Sequence, residues 1–137
     1  MSVLSDDAKK RKDIPLVRGL LDYFPVALAA VAEVSRVANE QHNPGEEMHW
    51  ARGKSTDHAD CIVRHLVDRG AVDTDGLRHS AKIAWRALAL LQEEIEAVGA
   101  QPGRASRFPE ERKPLVPHER KSCPGYCQQH PARGWIR

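Results

Sequence analysis

Aromatic residues are scarce in this chain, only 5% of its 137 residues. A core must therefore be built mostly from Leu, Ile, Val and Ala. Long apolar runs are missing as well. None approaches the roughly 20 residues that a membrane-crossing helix needs. The charged start, Met1 to Lys12, holds no apolar segment of signal-peptide type. These absences predict a cytoplasmic protein with no membrane partner. Charge of one sign is lacking too. The formal net charge is +2, so nucleic acid is not indicated as a partner. There are only three cysteines, expected as reduced thiols or metal ligands. No internal repeat, Walker-type loop, Rossmann glycine pattern or serine-nucleophile elbow is present.

No segment alternates with period two, so the predicted class is all-α: a small bundle of three main helices with an extended, proline-rich C-terminal tail. Pro25 suits a first helical turn, and Asn43-Pro44-Gly45 is a stop, which brackets helix one from Pro25 to about His42. Leu28, Val31, Val34 and Ala38 are its expected buried stripe. Ser55 or Thr56 is the expected N-cap of helix two, which Gly70 ends. Its expected buried side is Ala59, Ile62, Val63 and Leu66. Asp73-Thr74-Asp75-Gly76 is a turn offering an N-cap to helix three, which Gly99 ends. Leu77, Ala81, Ala84, Leu88, Leu91 and Ile95 form its apolar stripe, with His79, Lys82, Arg86 and Glu93 facing away. The predicted division is a charged segment at 1–13, a helical nucleotide-handling domain at 14–99 and a tail at 100–137. The alanine-rich stripes make a modest core, so a homo-oligomer is expected.

Chemistry concentrates around His49-Trp50-Ala51-Arg52-Gly53-Lys54 and the helix after it. Free N–H groups at a helix start attract phosphate, Arg52 and Lys54 add charge, and Trp50 can stack on a base. Asp57 and Asp60, three apart, can approach one ion from one helical face. Glu33 and Glu40 sit two turns apart on helix one, so packed helices can present four carboxylates to magnesium or manganese. Solvated ion pairs with Arg36 and Arg64 explain the same pattern. His58, Cys61 and His65 share one side of helix two as a soft metal-site candidate. His42, His49 and His79 can converge on that helix as acids or bases. In the tail, His118, Cys123, Cys127 and His130 offer four zinc-competent ligands, and a metal is what would order a segment with no core.

The segment from His49 to Leu91 resembles the phage-associated family named for the N-terminal domain of dATP/dGTP diphosphohydrolases. The matching elements are Phe24-Pro25, the His49–Lys54 loop, Asp60-Cys61-Ile62-Val63-Arg64-His65-Leu66, and Asp73-Thr74-Asp75-Gly76-Leu77-Arg78-His79 running on to Trp85. The family is distantly similar to MazG-like pyrophosphohydrolases, which carry a Glu-x-x-Glu helix followed by a Glu-x-x-Asp helix. Asp57-x-x-Asp60 is similar to the second half; Arg36 breaks the first. The resemblance implies a magnesium- or manganese-dependent hydrolase that converts dATP or dGTP to the monophosphate and pyrophosphate. Glu40, Asp57 and Asp60 would hold the metal. Arg52, Lys54 and Arg64 would meet phosphates, Trp50 would lie near a purine base, and His65 or His79 would assist proton transfer. Two other readings stand beside it: a non-catalytic nucleotide-binding module that senses or sequesters its ligand, and an accessory protein that recruits a partner through its tail.

Overall fold

Residues 4–110 are described by the structure, a computed structural model. Four helices dominate. Asp7 caps the short α1 (Ala8–Lys12), its Oδ1 accepting from the Lys9 and Lys10 N–H groups. A π-helical turn, Val17–Leu21, leads to α2 (Pro25–His42), which starts on its proline as expected and stops before Gly45, where φ is 80°. A loop then carries the two-residue strand β1 (Trp50–Ala51). Two further helices, α3 (His58–Val67) and α4 (His79–Ala97), precede β2 (Ser106–Arg107). The long α4 is the hub on which both α2 and α3 pack. Among the described residues, no single helix is long and apolar enough to cross a membrane.

Both later helices begin differently from the sequence expectation. At α3, Asp57 occupies the cap position rather than Ser55 or Thr56. Its carboxylate makes no capping bond, because it accepts from Ser55 Oγ at 3.0 Å and Arg64 at 2.8 Å. The Asp73–Gly76 turn does not cap α4 directly. Val72 pairs with Arg78 in an antiparallel bridge across it, and the helix starts only at His79. Gly76 takes φ of 81° there, a conformation glycine adopts without steric cost.

The faces of these helices also differ from expectation. On α3 the buried residues are His58 and Cys61, with His65 half-buried; Val63 and Leu66, expected inside, are 60% and 46% exposed. The side chains of α4 explain this rotation, because Arg86, Glu93 and His79 supply polar partners for the histidine edge. On α4 itself Ala81 and Ala89 are buried, but Leu88, Leu91 and Ile95 stay about half exposed. Val34, Cys61, Ala81 and Ala89 make up the buried apolar core of the described residues.

Residues 105–108, expected in the tail, return to the domain edge. β2 runs parallel to β1, with Trp50 N–H donating to Ala105 O and Arg52 N–H to Arg107 O, both at 2.8 Å. The candidate zinc ligands His118, Cys123, Cys127 and His130 lie outside the described residues.

Candidate functional site

A cleft of about 1040 Å³ opens between α2, the loop before α3, and α4. One side of α4 supplies most of its chemistry: Lys82, Trp85, Arg86, Ala89 and Gln92 line it at helical spacing. Trp85 ties the helices together, its Nε1–H donating to Ser35 Oγ on α2 at 2.8 Å. Trp50 meets Trp85 edge-to-face, with ring centroids 5.7 Å apart. The His58 ring lies 6.4 Å from each indole and is only 3% exposed as a residue.

Arg86 is fixed by two neutral groups. Its guanidinium donates to Ser55 Oγ at 2.6 Å and meets His58 Nδ1 at 3.2 Å. A guanidinium has only donors, so His58 Nδ1 is the acceptor and the ring proton sits on Nε2. That Nε2 faces Glu93 Oε1 at 3.4 Å without an aligned hydrogen bond. Lys54, also on the cleft wall, donates to the neutral amide oxygen of Asn43 at 3.0 Å. Neither Arg86 nor Lys54 is ion-paired to a carboxylate among the described residues.

The other cations are committed. Arg52, expected to meet phosphate, is 7% exposed and forms a two-point ion pair with Glu96 at 2.5 and 3.1 Å. Its guanidinium stacks 3.8 Å from the Trp50 ring centroid, and it does not line the cleft. Hydrogen bonding from Arg52 holds the Glu96 carboxyl below its ordinary pKa. Arg64 reaches Asp57 and Cys61 Sγ, and it too is absent from the cleft wall. Its hydrogen bond is the first cause holding the Asp57 carboxyl far below the usual range.

The carboxylates expected to hold magnesium do not converge. Glu40 is ion-paired to Arg36, which also holds Glu33 and depresses its pKa; Asp57 is ion-paired to Arg64; Asp60 is exposed. Glu40, Asp57 and Asp60 form no group with ligand atoms in mutual reach. Nor do His58, Cys61 and His65, since His58 turns to Arg86 and Cys61 to Arg64.

The two histidines assigned to proton transfer do come together. His65 on α3, a cleft-lining residue, places Nδ1 2.9 Å from Nδ1 of His79 at the start of α4. Burial is the first cause that lowers the His65 pKa from 6.5, and the Lys82 and His79 charges act in the same direction. Beside them, Lys82 donates to Asp73 at 2.6 Å and Asp75 at 2.7 Å. Burial alone would lower the Lys82 pKa, but these two carboxylates outweigh it and raise it. In return Lys82 holds Asp73 down to about 2 and depresses Asp75.

Arg86 and Trp85 are the site residues that helical periodicity misses. The signal for them is the helical spacing of 82, 85, 86, 89 and 92, whereas the sequence reading placed Lys82 and Arg86, with His79 and Glu93, facing away from the apolar stripe.

A family model described as dATP/dGTP diphosphohydrolase, N-terminal, matches residues 4–102. No curated protein and no solved structure matches the chain.

Proposed function

The chain belongs to the dATP/dGTP diphosphohydrolase N-terminal family, and from that premise we propose that it binds a purine deoxynucleoside triphosphate in the α2–α4 cleft and releases diphosphate from it. One observation carries the placement. Two cations on the cleft wall, Arg86 and Lys54, are held only by neutral groups, beside a pair of tryptophans. A half-buried guanidinium without a carboxylate lacks its strongest class of partner, and a phosphate supplies it. Trp50 and Trp85 offer aromatic surface for a base, the same stacking chemistry that holds unpaired bases elsewhere. In the reaction, water adds to the α-phosphorus, the bond from that phosphorus to the bridging oxygen breaks, and diphosphate leaves. Glu40, Asp57 and Asp60, the carboxylates expected to hold magnesium, are apart and do not fit it.

The same reading includes a second copy of the chain. Leu20, Phe24, Leu28, Val31, Leu88 and Leu91 line an apolar groove of about 400 Å³ on the α2–α4 pair, next to the cleft, which shares Leu28, Val31, Leu88 and Leu91. A core of four small or medium side chains leaves the domain short of apolar burial. Two identical apolar faces related by a two-fold axis cover each other.

A panel of dATP, dGTP, dCTP and dTTP, followed for binding and diphosphate release on the same samples, tests this function. Purine-selective binding that weakens about tenfold or more in Arg86→Gln supports it. Binding without products reduces the protein to a nucleotide-holding module. Absence of both rejects the assignment.

A further inference from the structure

His65, Asp73 and His79 come from three separate elements: α3, the turn after it, and the first residue of α4. Each offers one ligand atom, and these atoms all lie within 4.8 Å of one another. All three residues are half-buried, so folding rather than the ligand brings them together. The two imidazole Nδ1 atoms are 2.9 Å apart. A tetrahedral ion with metal–nitrogen distances of about 2.0–2.1 Å holds two such nitrogens about 3.3 Å apart, so opening this contact by a few tenths of an ångström admits one. We propose that His65, Asp73 and His79 form a binding site for a transition-metal dication of the zinc or cobalt class.

The donor set decides the class. Two imidazoles with one carboxylate suit zinc or cobalt, whereas magnesium takes oxygen ligands. Between neutral rings, one Nδ1 now carries the shared proton. On binding, that proton moves to Nε2 of the same ring, so both Nδ1 lone pairs become free without net proton release. Lys82 is the incumbent cation at Asp73, and it opposes an ion at short range. Asp75 already accepts from the same ammonium at 2.7 Å and keeps a partner for it once Asp73 turns to the metal. His65 and Lys82 line the cleft, so the ion lies beside the space assigned to the nucleotide. The site does not depend on that assignment, since the metal alone is the probe.

The test is equilibrium titration of the full chain with Co2+ or Zn2+ and no nucleotide, with visible absorption of the cobalt form and histidine NMR signals as readouts. We expect the His65 and His79 ring signals to shift on binding, and excess Mg2+ not to compete. His65→Ala and His79→Ala each lose at least about tenfold in affinity. Lys82→Gln binds more tightly, a gain that misfolding does not produce. Replacing Cys123 and Cys127 by serine leaves this binding in place. Metal binding indifferent to His65→Ala and His79→Ala, or abolished by the cysteine replacements, overturns the proposal, as does the absence of any binding by folded protein.

Discussion

The side of α4 that faces α3 and the β1 loop carries His79, Lys82, Arg86, Glu93 and Glu96; the side turned from them carries Leu88, Leu91 and Ile95. On the first side, charged and aromatic groups are half-buried, and most meet named partners across long stretches of sequence. On the second, large aliphatic groups stand about half in solvent. This inverts the usual allocation of apolar residues to the interior. Buried polar groups cost stability unless satisfied, and they gain specificity when each has a defined partner. The polar side therefore fixes geometry, and the apolar side is the face proposed to meet a second copy.

Removing a partner of the polar side has the largest expected effect. Arg52→Ala removes the two-point partner of the Glu96 carboxylate, which is 14% exposed in the pair, and uncovers the Trp50 and Phe108 rings under the guanidinium. We expect a loss of about 3 kcal/mol in urea unfolding. A loss below that of an ordinary surface change would show that the pair contributes little.

Acid should reveal the same pair. The folded-state pKa of Glu96 lies below its ordinary 4.5, chiefly through the Arg52 hydrogen bond. Its stabilisation is thus complete above pH 4.5 and drains away as pH falls through the depressed value. Unfolding midpoints measured across that range should fall, and Glu96→Gln should flatten this part of the slope. An unchanged slope in the variant would assign acid sensitivity elsewhere.

Trp85→Phe removes the single hydrogen bond to Ser35 while keeping a ring, so about 1 kcal/mol is expected. The smallest effect on the fold of one chain belongs to the apolar side. Ala87→Glu, an exposed position that lines the groove but not the cleft, should change monomer stability by about 0.5 kcal/mol or less, while light scattering shows the assembly fall to single chains. A wild-type chain that is already monomeric at micromolar concentration would remove the proposed second copy.

Local signals were legible in the sequence. Pro25 and Asn43-Pro44-Gly45 bracket α2, and Gly70 and Gly99 lie just past the ends of α3 and α4 with positive φ. His65 and His79 were both singled out, and the fold sets their rings together. What was not legible depends on partners remote along the chain. Apolar spacing gave α3 the wrong inner face, because α3 packs on α4 through the edge that holds His58, which meets Arg86 there. Arg52 read as a phosphate ligand since Glu96, 44 residues later, is invisible to local pattern. The return of residues 105–108 is carried by backbone hydrogen bonds, which leave no mark in composition.

Binding of a purine deoxynucleotide in the cleft between α2 and α4 is proposed to rest on Arg86, Lys54 and the tryptophan pair. Direct titration of dGTP against the wild-type chain, Arg86→Gln and Trp50→Ala, by calorimetry on matched folded samples, tests it most directly. Saturable binding that each variant weakens by about tenfold or more is expected. Binding of equal strength in all three proteins, or none in the wild type, would contradict it.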